Sequence, residues 1–143
     1  MSEAAQWEVL LVEDSAADIH LIEQALAECG KHIHLRTITN GGEALTFLRK
    51  EAPFTQTPSP ALIISDLNLP GLDGYELLEE LRRLPAHQQT PVVIFSGAYK
   101  DLTEPRCLQL GANQYVQKPS DLHSFFAAIA AIVDTWLTHD GPQ

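Results

Sequence analysis

Positive charge is scarce in this chain: nine Lys and Arg stand against nineteen Asp and Glu, a formal charge of −10 over 143 residues. A surface of that sign repels a phosphate backbone, whose binders depend on clustered Lys and Arg, so nucleic acid is excluded as a direct partner. Cysteine is nearly absent too. Cys29 and Cys107 lie far apart, without metal-ligand spacing and without a leader that would point to an oxidising compartment, so both are expected to be reduced thiols in or near the core. No apolar run approaches the ~20 residues of a membrane span, and the N-terminus has no basic segment followed by an apolar one. A membrane is therefore excluded as a partner, and a soluble, cytoplasmic protein is expected. With 45% apolar residues, a chain of this length is expected to fold as one domain around a sizeable core.

What the chain does contain is a set of short apolar runs, each ending on a polar residue of a different type. Residues 9–12 lead into Glu13 and Asp14; 62–64 pass through Ser65 into Asp66; 92–95 lead into Ser96; 115–116 pass through Gln117 into Lys118. Strands are expected near 8–12, 34–38, 62–65, 92–95 and 114–116. Helix-type periodicity fills the gaps. The stretch 16–29 turns Ile19, Ile22 and Leu26 inward, and Gly30 is placed to end it in a left-handed conformation. A second helix covers 42–50, with Asn40 and Glu43 at capping spacing; a third opens at Asp73 with Glu76 and turns Leu77, Leu78 and Leu81 inward. Pro85 and Pro91 bracket the exit of the third. The alternation predicts a doubly wound α/β domain, with five parallel strands covered by helices on both faces.

Two stretches leave alternatives. Residues 53–60 hold three prolines and few aliphatic residues, so they read as a surface insertion without a role. The last helix, from Leu122 to Leu137, repeats large apolar residues at helical spacing with alanines between them. One face must pack on the sheet; the alanines and the Trp136-Leu137 end either serve helix propensity or supply a second apolar surface, and Phe125, Ile129, Ile132, Trp136 and Leu137 are the candidate dimer face.

Parallel strands joined by helices bring their C-terminal ends to one crevice. Glu13, Asp14 and Asp66 would then crowd three carboxylates together, which calls for a cation. An all-oxygen set suits Mg²⁺, which completes its shell with water and phosphate. The pattern points to phosphoryl chemistry, with Asp66 as nucleophile, Asp14 on the metal, and the Lys118 ammonium and Ser96 hydroxyl on the transferring oxygens.

Val-Glu-Asp at 12–14, Asp-Leu-Asn-Leu-Pro-Gly-Leu-Asp-Gly at 66–74, Phe-Ser-Gly-Ala at 95–98 and Gly-Ala-Asn-Gln-Tyr-Val-Gln-Lys-Pro at 111–119 resemble the receiver domains of two-component response regulators. The resemblance runs over about residues 8–137. It implies a flavodoxin-like fold of strand order 2-1-3-4-5, in which Asp66 accepts phosphate from a sensor histidine kinase. It further implies that Asp14, Asp66 and the backbone carbonyl of Asn68 hold Mg²⁺, with Glu13 acting through water. Lys118 and Ser96 would bind the phosphoryl group, Ser96 and Tyr115 would form the conformational switch, and the Lys118–Pro119 bond would be cis. Ser96 stands where the family often has threonine, and Glu13 where aspartate is common. Such a protein is no enzyme towards other molecules; it catalyses only its own phosphorylation and dephosphorylation.

Residues 138–143 read as a short tail, so 1–143 is expected to be a single receiver without an output domain, its signal passing through a partner, a phosphorelay step or self-association. The run 66–70, the Pro-containing loop before it and the Trp136-Leu137 ending resemble stand-alone regulators paired with bacterial phytochrome kinases. That narrower resemblance implies a bacteriophytochrome-type kinase as partner, and a homodimer formed through the fourth helix, fifth strand and fifth helix. Two other classes compete. An aspartyl-phosphate hydrolase needs an acid two residues after its nucleophile, where this chain has Asn68. A pseudo-receiver serving only as an interaction module is opposed by the intact set of Asp14, Asp66 and Lys118. His20, His32, His34, His87, His123 and His139 have no ligand spacing and are assigned to neither metal nor phosphotransfer.

Overall fold

The computed structural model describes residues 6–138. Along the chain run β1 (Trp7–Val12), α1 (Ala16–Ala27), β2 (Ile33–Ile38), α2 (Gly41–Leu48), β3 (Leu62–Ser65), α3 (Gly74–Arg82), a 3₁₀ turn (Pro85–His87), β4 (Val92–Ser96), α4 (Lys100–Gln109), β5 (Gln114–Gln117) and α5 (Leu122–Trp136). The five strands form one sheet in the order β2-β1-β3-β4-β5. Every pairing is parallel. The expected fold and strand order are both present. His139 and the rest of the expected tail lie outside the described residues.

Side chains alternate across the central strands and so build two cores. Leu10, Val12, Ile63 and Ile94 pack with α2 and α3 on one face, while Val9, Leu11, Ile64, Val93 and Phe95 pack with α1 and α5 on the other. Strands buried on both faces read as continuous apolar runs, which is why β1, β3 and β4 were legible. The helix starts are capped as their sequences predict. Asn40 accepts the Glu43 N–H, and Asp73 and Glu76 form a reciprocal capping box at α3. Gly30 has φ +82°, the left-handed conformation expected after α1.

Two expectations are revised. Phe125, Ile129, Ile132 and Leu137 are between 0% and 4% exposed, so the stripe on α5 is spent on the sheet and cannot form a dimer face. Trp136 is half-buried, its indole N–H donating to Gln114 Oε1 at 2.8 Å. Secondly, the 53–60 insertion has a structural role: Phe54 meets Phe47 edge to face with centroids 5.3 Å apart, and the Arg36 guanidinium lies near both rings. As expected, Pro85 and Pro91 bracket the exit of α3; Pro85 opens the 3₁₀ turn, a first-turn position where its missing N–H costs nothing.

That turn delivers a buried histidine. His87 is 2% exposed, with Nδ1 3.0 Å from Thr90 Oγ1 and Nε2 3.2 Å from the Leu48 carbonyl. Burial lowers its pKa from the ordinary 6.5; the Leu48 hydrogen bond works the other way, and the charges of Lys50 and Arg82 push it further down. Arg82 ties the same region together, donating to the carbonyls of His87, Thr90 and Gly111 and to Asn113 Oδ1. Its guanidinium thus fastens the end of α3 to the turns entering β4 and β5.

Gly74, the first residue of α3, packs directly under the loop that follows β3. A Cβ there would meet the Asp66 carbonyl and lie 2.6 Å from Leu67 Cα, both backbone atoms with no room to withdraw. Gly74→Ala is expected to cost on the order of 2 kcal/mol in urea unfolding; an unchanged midpoint would show that the loop can move aside. For His87 the unfolded chain takes up a proton at higher pH than the folded one. Its contribution is therefore complete above about pH 6.5 and is lost as the pH falls from there through the lower folded pKa. The urea midpoint should drop between about pH 7 and pH 5, and the drop should be smaller in His87→Gln.

Candidate functional site

The parallel register brings the strand ends level. Val12 pairs with Ser65 and Ser65 with Ile94, while Ser96 pairs with Gln117. Backbone bonds carry the order one residue past the strands: Glu13 N–H donates to the Ile38 carbonyl at 3.1 Å, Asp66 N–H to Val12 at 3.0 Å, and Lys118 N–H to Ser96 at 2.7 Å. Glu13, Asp66 and Lys118 are thus held by the sheet itself. Their side chains line a cleft of about 680 Å³, which Asp14, Asn68, Ser96 and Ala98 also line.

Carboxylate oxygens of Glu13, Asp14 and Asp66 come within 4.8 Å of one another. Glu13 is 1% exposed and Asp66 7%, while Asp14 faces solvent. Such a set fits a hard divalent cation: the donors are all oxygen, two of the three are buried, and the open side leaves room for water and a further oxygen ligand. Opposite lies one ammonium. Lys118 Nζ donates to Glu13 Oε1 at 2.7 Å, Asp18 Oδ2 at 2.7 Å and Asp66 Oδ2 at 3.0 Å. The other Asp66 oxygen accepts the Leu67 N–H at 2.7 Å and, more distantly, the Asn68 N–H at 3.4 Å.

Electrostatics follow from burial against pairing. Loss of water pushes the Glu13 carboxyl up to about 7; the Lys118 hydrogen bond pulls it down, the Asp66 charge adds to the rise, and the Ser15 N–H opposes it. For Lys118, burial alone would lower the pKa, but the bonds to Asp18 and Glu13 and the charge of Asp66 outweigh it and the net direction is upward. The amine stays charged.

The two expected switch residues meet at one amino acid. Ser96 Oγ accepts the Ala98 N–H at 3.2 Å, and Tyr115 Oη donates to the Ala98 carbonyl at 2.6 Å. Tyr115 is 2% exposed. Its ring already lies inside, so any switching by Tyr115 starts from a buried position. The Lys118–Pro119 peptide is not cis; the cis bond among the described residues is Ala52–Pro53. Trans is the intrinsically favoured form of a prolyl bond, and in it Lys118 already makes its backbone and side-chain contacts.

Of the sequence-predicted set, Glu13, Asp14, Asp66, Asn68, Ser96 and Lys118 share the cleft, whereas the α5 residues do not line it. Asp18 escaped notice. Its only signal was its place three residues after Ser15, which reads as ordinary helix capping, and Ser15 Oγ does accept its N–H at 3.3 Å.

The response regulator receiver domain model matches residues 9–130. The chain belongs to this family. Response regulator Rcp1 of Synechocystis sp. is 33% identical over 129 residues, covering 90% of this receiver and 88% of that protein. The crystal structure of the phosphorylated cyanobacterial phytochrome response regulator RcpA superposes with a TM-score of 0.90 at 35% identity, covering 97% of this chain and all of that one. The Mn²⁺-bound form of Rcp1 gives 0.88 at 32% identity, covering 96% and 99%. The receiver thus carries an acidic metal site, and its relatives include phytochrome response regulators. No helix among the described residues is long and apolar enough to cross a membrane.

Lys118 is the cation that balances this cleft. Lys118→Gln should lower stability by about 3 kcal/mol in the presence of a chelator, because buried carboxylates lose their partner. Millimolar Mg²⁺ or Mn²⁺ should then stabilise the variant by more than it stabilises the wild type. Urea unfolding with and without the ion checks this; equal gains would mean that amine and metal do not share the work of neutralising the cleft.

Proposed function

We propose that this receiver accepts a phosphoryl group on Asp66 from a sensor histidine kinase, with Mg²⁺ bound. The observation that carries the reading is the division of labour around Asp66: one oxygen is held by the Leu67 N–H, the other by Lys118, and the Glu13–Asp14 pair lies within metal-sharing distance. Asp14, Asp66 and the Asn68 carbonyl are the proposed ligands of the ion, with Glu13 reaching it through water. When bound, Mg²⁺ neutralises charge on the transferring phosphoryl oxygens.

The residues do the rest. An Asp66 carboxylate oxygen attacks phosphorus; the P–N bond of a phosphohistidine breaks, and the leaving imidazole takes a proton from water. Lys118 donates to a phosphoryl oxygen and Ser96 Oγ to another, leaving its present bond with Ala98. Because Tyr115 holds the other end of Ala98, withdrawal of Ser96 loosens the tyrosine's anchor, and β5 and α4 feel the change. Hydrolysis reverses the charge event, as water attacks phosphorus and returns the carboxylate. Asn68 offers no general acid for a turnover enzyme acting on other substrates, so the chemistry is confined to the protein's own aspartate.

The likeness to phytochrome regulators supports a phytochrome-type kinase as the donor. The signal, on the same reading, is passed through a second copy of the chain. Tyr99 and Leu102, at the start of α4, are 70% and 79% exposed and offer apolar surface where the buried α5 stripe cannot. Light scattering at about 50 µM, where a micromolar interface is occupied, should return a dimer; a monomer before and after phosphorylation would remove this part of the reading.

Incubation with acetyl phosphate and Mg²⁺, followed by phosphate-affinity electrophoresis, tests the site. The wild type should shift and Asp66→Asn should not. A shift that survives Asp66→Asn, or none in the wild type, overturns the assignment.

A further inference from the structure

The Lys118 ammonium has three N–H donors, and each already has a carboxylate acceptor: Glu13 at 2.7 Å, Asp18 at 2.7 Å and Asp66 at 3.0 Å. If the amine is to meet a phosphoryl oxygen, one of these bonds must be given up. The three acceptors are not equivalent. Glu13 is 1% exposed, and without its cation it would be a buried, unpaired charge. Asp66 makes the longest bond, and formation of the acyl phosphate removes the charge from its carboxylate while placing new charge on the phosphoryl oxygens next to it. The bond to Asp66 is therefore the one that converts into a bond to the phosphoryl group.

That leaves Glu13 and Asp18 as the fixed anchors. Asp18 belongs to a different element from the other acids: it lies in the first turn of α1, where Ser15 caps its N–H, and its side chain is 26% exposed at the rim of the cleft. We propose that Asp18 is a positioning residue for the phosphoryl-binding amine. Together with Glu13 it holds two N–H groups of Lys118, so that the third is directed at Asp66 and then at the phosphoryl oxygen. The inference rests on the reading of Asp66 as phosphoacceptor. It assigns to Asp18 no contact with substrate or metal; the residue acts through Lys118.

Holding the amine by an acceptor and balancing its charge are separable. Asp18→Ala removes both; Asp18→Asn keeps a carbonyl oxygen at similar reach and removes the charge. The experiment measures three quantities for wild type and both variants: the rate of phosphorylation by acetyl phosphate at saturating Mg²⁺, the affinity for beryllofluoride as a phosphoryl mimic, and the Mg²⁺ affinity without it. Asp18→Ala should slow phosphorylation and weaken beryllofluoride binding roughly tenfold, as expected when a reacting group loses its fixed geometry. Mg²⁺ affinity should stay within about threefold of wild type, since Asp18 is not among its proposed ligands, and Asp18→Asn should recover most of the loss. Wild-type behaviour of Asp18→Ala overturns the proposal, as does an Asn variant as impaired as Ala or a parallel collapse of Mg²⁺ affinity. A wild type that takes no phosphate overturns the Asp66 reading instead, so the two failures are told apart.

Discussion

One ammonium among three carboxylates is the constraint on which the rest of this receiver depends. Glu13 and Asp66 are buried, and two buried acids at this range could not both remain charged without a cation between them. Lys118 supplies that cation from the end of the edge strand β5, more than fifty residues from Asp66 and more than a hundred from Glu13 in sequence. Its own burial would favour the neutral amine, and the acids reverse that preference. Neither side is stable in its charged form alone, so the cleft is a balance that a divalent metal or a phosphoryl group can tip.

The fold exists to keep that balance in register. A parallel sheet is the simplest scaffold that aims three strand ends the same way, and its ladder continues past the strands through the backbone bonds of Glu13, Asp66 and Lys118. The loop after β3 is then pressed from below by Gly74, where the capping box starts α3 against the carbonyl of Asp66. Arg82 at the other end of the same helix fastens the turns before β4 and β5. One helix thus sets both the aspartate loop and the entry to the strands that carry Ser96 and Lys118.

Much of this was legible in the residues because two physical signals agreed. Central strands buried on both faces are written as unbroken apolar runs, and a polar residue immediately after such a run has few places to go except the sheet edge. Glu13, Asp66 and Ser96 were legible that way, whereas Lys118 stands beyond only a two-residue apolar run on the edge strand β5. Asp18 was hidden for the opposite reason: an acid three residues into a helix is explained by capping alone, and only coordinates reveal that its carboxylate also reaches an amine from β5's end. The α5 stripe was ambiguous because helical periodicity states that a face is apolar but not what covers it; here the sheet consumes it. Phe54 was missed because a single aromatic in a proline-rich loop has no period to reveal it.

The arrangement also says how a charge change at Asp66 could leave the cleft. Ser96 and Tyr115 are both bonded to Ala98, one to its N–H and the other to its carbonyl. A peptide unit is planar and stiff, so a pull on one side of this residue is felt on the other within the reach of two soft dihedrals. Tyr115 is buried between α4 and the sheet and cannot shift without moving its neighbours, since interiors are packed too closely to absorb the displacement locally. The hydroxyl that a phosphoryl group would recruit and the ring that would report it are therefore separated by one residue rather than by a chain of contacts. On the proposed reading the output would be a repacking at the α4–β5 surface, where Tyr99 and Leu102 stand exposed.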